Sequence, residues 1–146
     1  MHHTRRWALA VIGMAAVCGL VAAGCADRNA AVRGAMRGRV QLDGLPLDTG
    51  RIEFTPTAGT TGPIAGGEIL NGGFDIPTAR GPAIGTNLVR VSAPMLSGRK
   101  VPGPFGTPID ELVETVPDRY NTASTLQVEI KKGRNELNLD LRSKPE

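Results

Sequence analysis

The sequence predicts an all-β domain, a sandwich of about seven short antiparallel strands. Three observations carry this. Apolar residues recur with period 2 along most of the chain beyond Met36. Gly 19 and Pro 11 are high for 146 residues, while aromatics are only 3%; that mix suits short strands joined by tight turns. No helical stripe of useful length interrupts the alternation.

The strands follow in order. In "RGRVQL", Val40 and Leu42 share a face opposite Arg39 and Gln41. Asp43-Gly44 follows as a turn pair and not an acidic site, since both residue types tolerate positive φ. "RIEFTP" places Ile52 and Phe54 inward, with Glu53 and Thr55 outward; the seven residues Leu45 to Arg51 exceed a tight hairpin, so this strand need not pair with the first. "IAGGEIL" puts Ala65, Gly67 and Ile69 on one face. Asn71-Gly72 signals a two-residue hairpin into "GFDIP", with Phe74 and Ile76 inward. "NLVRVSAP" offers Val89 and Val91. "TLQVEI" and "ELNLDL" give Leu126, Val128, Ile130 and Leu137, Leu139, Leu141, read as an antiparallel hairpin across the turn "KKGRN". Lys131, Lys132 and Arg134 around that turn are expected to be solvated.

Ala93 to Thr125 breaks the regularity. It reads as one long Pro- and Gly-rich loop with a weak helical hint at "PIDELVE", and such loops are either mobile connections or binding elements. Its carboxylates Asp110, Glu111, Glu114 and Asp118 are the chain's weak candidates for a hard cation such as Ca²⁺, yet their spacing matches no calcium loop. Arg119 and Tyr120 are the candidate ligand or loop contacts; the structural alternative is a lone Tyr anchoring the loop's end, ring packed and hydroxyl bonded.

The N-terminus has its own logic. "MHHTRR" is a basic n-region, and "WALAVIGMAAVCGLVAA" is an uncharged apolar run, short for a membrane span of about 20 residues. Residues 1–24 thus read as a signal peptide. The n-region suits general secretion, and Thr4-Arg5-Arg6 also resembles the start of a twin-arginine signal. Ala22-Ala23-Gly24-Cys25 resembles a bacterial lipobox, with Ala22 where Leu is usual. Cys25 is therefore the expected lipidation site, and Cys18, inside the apolar run, is the poorer candidate. The alternative is an ordinary secretory cut leaving Cys25 plain. A thioether-linked diacylglycerol with an N-terminal acyl chain such as palmitate anchors stably, because more than one chain is buried. Residues 25–35 read as a flexible tether and 36–142 as the domain.

Composition excludes much chemistry. Removing Arg5 and Arg6 from the 17 Lys+Arg leaves 15 against 14 Asp+Glu, so the mature chain is nearly neutral. Basic residues are scattered without interleaved aromatics, which argues against a nucleic-acid partner. His2 and His3 are the only histidines, and both lie in the leader. A mature chain without imidazole or free thiol lacks the usual nucleophile–base systems and zinc ligands. No P-loop or dinucleotide motif is present. The reading is a non-enzyme with no cofactor.

"GRVQLDGLPL", "GRIEFTP", "GGEILNGGFDI", "GPAIGTNLVRVSAP" and "VPDRYNTASTLQVEIKKGRNELNLDL" together resemble a known family. These are small bacterial lipoproteins, abundant in Planctomycetes, with a carboxypeptidase regulatory-like, or transthyretin-like (prealbumin-like), domain. The resemblance covers roughly residues 35 to 142, and Pro117, Tyr120, Thr125, Leu126, Gly133 and Asn135 fall as in the family. Asn87 stands where the family has an aromatic, which leaves two expectations: an exposed strand end or a thinner core. The resemblance implies a transthyretin-like sandwich after an N-terminal signal helix. It implies a cell-envelope protein facing outside the cytoplasm, in the outer membrane or periplasm. Its partners would be the membrane, through the anchor, and an envelope protein, glycan or peptide met by the long loop or a sheet edge.

Overall fold

The computed structural model describes residues 32–57 and 59–145; the signal peptide and Cys25 lie outside them. The described residues form ten strands: β1 (Ala35–Leu42), β2 (Leu45–Pro46), β3 (Thr49–Pro56), β4 (Ala65–Leu70), β5 (Gly73–Ile76), β6 (Gly85–Ser92), β7 (Pro94–Pro102), β8 (Pro108–Glu114), β9 (Gln127–Ile130) and β10 (Arg134–Leu141). The class is all-β, as expected. Seven strands make one curled sheet in the order β10-β1-β5-β4-β3-β6-β9, with β2 paired to β1. β7 and β8 pair only with each other.

Turn chemistry sets the first hairpins. Asp43 (φ 53) and Gly44 (φ 81) both have positive φ, as a two-residue primed turn requires, and Leu42 opposes Leu45 directly. Asn71 (φ 50) and Gly72 (φ 76) repeat the device between β4 and β5. β3 pairs with β4 and β6, not with β1.

The sheet has a dry face and a wet one. Val40, Ile52, Phe54, Ile69, Val91 and Ile130 are fully buried, with Met36, Ile76, Val89 and Leu141 almost so. Phe54 and Phe74 meet with ring centroids 6.5 Å apart. Fully burying each large side chain stabilises by about 1.5–3 kcal/mol. β4 meets β5 at the single pair Leu70–Gly73, and residues from the strands on both sides of that junction share one core. Leu42, Leu126, Val128, Leu137 and Leu139 are only half-buried at its margin.

Two expectations are corrected. The last two strands do not form a hairpin. β9 pairs with β6, whereas β10 pairs with β1 in parallel over eight residues, so the sheet is not purely antiparallel. Alternation fixes which side of a strand is buried, not which strand lies beside it. The link Lys131–Gly133 carries the chain from one margin of the sheet to the other. Asn135 pins it: Oδ1 accepts from Lys131 N–H at 2.9 Å, and Nδ2 donates to Lys131 O at 2.8 Å and Ala35 O at 3.1 Å. Nor is the long segment one irregular loop: its first part is the β7–β8 hairpin, and "PIDELVE" is strand β8, not a helix. A two-stranded ribbon with both faces wet has no core side, so it leaves no period-2 hydrophobic signature.

Asn87 also settles. It is fully buried, so that end of β6 is not exposed. Its Nδ2 donates to Ala83 O at 2.8 Å and Gly85 O at 2.9 Å, while Oδ1 has no partner among the described residues.

Close approach makes Gly38 indispensable. A Cβ on Gly38 would lie 1.7 Å from Leu137 O, so β1 and β10 pair at this spacing only without a side chain there. Gly44 has open space around it and only its positive φ to satisfy. Gly38→Ala is expected to destabilise by about 3 kcal/mol or more, and Gly44→Ala by about 1 kcal/mol. Chemical denaturation of the two variants measures the ranking.

Candidate functional site

The feature least explained by the core is the β7–β8 arm. β6 starts beside the chain's point of entry, where Arg33 bridges Ala83. Seven residues later, roughly 23 Å along the strand, it ends at Ser92 and the arm begins. Every residue from 94 to 100 is exposed. An unsupported two-stranded hairpin is marginal in water, so what fixes the root matters.

The root is held by backbone and one carboxylate. Ala93 O accepts from Thr115 Oγ1 at 2.7 Å and from Thr115 N–H at 3.3 Å. Glu114 Oε1 accepts from Ala93 N–H at 2.7 Å and Val116 N–H at 3.0 Å, and its Oε2 accepts from Asn121 Nδ2 at 3.1 Å. Val116, 2% exposed, plugs the root into the core.

Apart from Glu114 at the root, the charges of the arm lie in its middle. Lys100 Nζ meets Asp110 Oδ1 at 2.7 Å, and Glu111 Oε2 accepts from Arg99 Nε at 2.9 Å and Ser97 Oγ at 2.6 Å. Exposed pairs of this kind contribute about 0.2–1 kcal/mol each, enough to fix register but not to drive folding. Around this band stand Met95, Leu96, Leu112 and Val113 toward the root and Ile109 toward the tip, all exposed. At the tip, Phe105 sits at φ 59 between Gly103 and Gly106 and is 106% exposed. A bulky residue in the left-handed region is unusual, and here it aims the ring fully into solvent.

The predicted site residues are thus dispersed. Asp110 and Glu111 brace the arm, Glu114 latches its root, and Asp118 lies in the 3₁₀ turn Asp118–Tyr120, where its carbonyl accepts from Asn121 N–H at 2.9 Å and Ala123 N–H at 2.8 Å. Among the described residues no three His, Cys, Asp or Glu side chains gather as a metal site. Arg119 and Tyr120 come together and take hold of the C-terminal tail. Arg119 stacks its guanidinium 4.8 Å from the Tyr120 ring centroid and donates to Arg142 O and, at 2.9 Å, to Lys144 O. Tyr120 packs its ring against the core, and its hydroxyl accepts from Arg142 N–H at 3.4 Å. Asp43 completes the tail's seat by accepting from Ser143 N–H at 2.9 Å. Hydrogen bonds from Ser143, side chain and then backbone, hold the Asp43 carboxyl below its ordinary value, aided by Arg142 and Lys144.

A second concave surface lies on the wet face of β10, β1, β5, β4 and β3: an open groove of about 1160 Å³. Arg37, Arg39, Arg51 and Arg80 line it with Glu68 and Asp75. Arg37 pairs with Glu136 at 3.7 Å, whereas Arg39, Arg51 and Arg80 have no ion pair among the described residues. Sequence reading missed this groove because its lining comes from five strands whose order only the fold reveals. The arm's tip left one readable trace, the uncharged run "VPGPFGTPI".

No protein-family model and no curated protein matches this chain. Among solved structures, a 9R-lipoxygenase from Cyanothece PCC8801 aligns with 12% identity and a TM-score of 0.37, over 76% of this chain and 16% of that one. No helix among the described residues is long and apolar enough to cross a membrane.

The tail and the root each yield a measurable outcome. Because the Asp43 carboxyl is depressed in the folded state, its hold on the tail is complete above the unfolded value of about 3.9 and is lost as pH falls through the lower folded value. Asp43→Asn keeps the turn but removes this dependence, so an NMR pH titration of the Ser143 amide shows an acid transition in the parent and none in the variant. Glu114→Ala is expected to weaken the root by about 1–3 kcal/mol. Heteronuclear NOEs of residues 95–113 should drop while those of β3 and β6 stay unchanged.

Proposed function

We propose that this chain is an exported, lipid-anchored cell-envelope protein that acts without catalysis, as a structural or binding module on a transthyretin-like sandwich. The anchor rests on the leader and on Ala22-Ala23-Gly24-Cys25. The sandwich reading is supported by the thin junction at Leu70–Gly73, with β10-β1-β5 on one side and β4-β3-β6-β9 on the other contributing to one core. The single observation that carries the functional reading is the arm: a built, braced projection with exposed apolar side chains that the core does not need. Large exposed apolar surface on a folded protein marks an interaction site. The non-catalytic reading is supported by what the carboxylates do: Asp110, Glu111 and Glu114 are engaged in holding the arm.

A second reading is favoured by the groove. Three guanidiniums without ion pairs beside Glu68 and Asp75 suit an extended polar ligand, a peptide or glycan carrying both hydrogen-bonding and charged groups. Retention of a peptide or glycan on an array, lost in Arg39→Ala and Arg51→Ala, favours it; no retention leaves the arm as the contact.

Mass spectrometry of the mature N-terminus tests the anchor. The expected species starts at Cys25 and carries a diacylglyceryl thioether and an N-acyl chain. An unmodified chain starting elsewhere contradicts the proposal.

A further inference from the structure

We propose that the tip of the arm inserts into a lipid bilayer, as a second membrane contact besides the Cys25 anchor; this rests on the reading that the chain is held at a membrane. A bilayer interface accepts apolar side chains and rejects charge, and it penalises backbone N–H groups left unbonded. From Val101 to Ile109 the tip contains no charged residue. Pro102, Pro104 and Pro108 have no N–H to satisfy. Gly103 N–H donates to Thr107 O at 2.9 Å, Gly106 N–H to Gly103 O at 3.2 Å and Thr107 N–H to Pro104 O at 3.3 Å. Val101 and Ile109 pair across the ribbon. Phe105 N–H aside, the backbone donors from Pro102 to Pro108 are absent or internally bonded, which suits a medium that offers few acceptors.

Depth agrees with this. Lys100 and Asp110, paired with each other, stand roughly 10–13 Å behind Phe105 along the ribbon. With the ring in the interface, inserted about 5–10 Å as interfacial segments are, that ion pair lies among the headgroups. The left-handed backbone at Phe105 holds the ring at the extreme end of the arm, where it touches the bilayer first.

The chain outside the described residues supplies the bilayer. Cys25 precedes Val32 by seven residues, at most about 25 Å of chain. A lipid on Cys25 therefore keeps a membrane surface within reach, and on such a tether the domain can lie with entry point and tip both on the surface.

Intrinsic fluorescence of the mature, lipidated protein tests this. Phe105→Trp supplies its single indole, because Trp7 leaves with the leader, and the protein is reconstituted into vesicles of phosphatidylethanolamine and phosphatidylglycerol. The expected result is a blue-shifted emission, quenching by brominated acyl chains, and an iodide quenching constant about threefold lower on vesicles than in their absence. Protein that floats with the vesicles while the indole of the Phe105→Trp variant stays fully open to iodide overturns the proposal and leaves the anchor standing. Protein that does not float at all overturns the anchor reading and with it the inference. Iodide shielding that rises with protein concentration in the absence of lipid assigns the tip to a second copy, which also overturns it.

Discussion

The fold depends on one pairing, that of the first strand with the last. β1 runs parallel to β10 from Ala35–Arg134 to Leu42–Leu141, with Gly38 letting the two backbones meet at Leu137. Parallel neighbours need a long connection, and here the rest of the domain is that connection. The core therefore waits for its final residues. Leu141, 2% exposed, joins Val40 and Met36 only once β10 is in place. Asn135 makes the closure specific by bonding the crossing link and Ala35 at once. Arg119 and Tyr120 then hold the tail that follows β10.

Local chemistry was legible in the sequence. Asp43-Gly44 and Asn71-Gly72 announce their turns because few other residues adopt positive φ easily. Ile52, Phe54, Ile69, Phe74, Val89 and Val91 announce the dry face by alternation. Partnership was not legible: "TLQVEI" and "ELNLDL" alternate as a hairpin would, yet they line opposite margins of the sheet. The arm was hidden for a related reason, since neither of its faces meets the core. Asn87 shows the reverse case, a polar residue buried by its place on β6 and satisfied on one side by Ala83 and Gly85 carbonyls.

Of the candidate site, the sequence marked out the segment Ala93 to Thr125, and the structure shows how its carboxylates are placed. The carboxylates at 110, 111 and 114 drew attention as a cluster, but a ribbon places them at successive heights, each with its own partner. The apolar residues between them, Leu112 and Val113, form part of the arm's exposed surface. The groove on the wet face depends on cross-strand neighbours, Arg37 beside Asp75 and Glu136, Arg51 beside Glu68, which no local pattern encodes.

The molecule thus divides its labour between a body closed by β1 and β10 and an arm fixed only at its root. Residue-resolved amide hydrogen exchange on the lipid-free protein tests this division most directly. The account predicts that Val40, Leu139 and the amides of β3 and β6 exchange together through global unfolding, while residues 95–113 exchange orders of magnitude faster. Arm amides protected as strongly as those of β1 would contradict it.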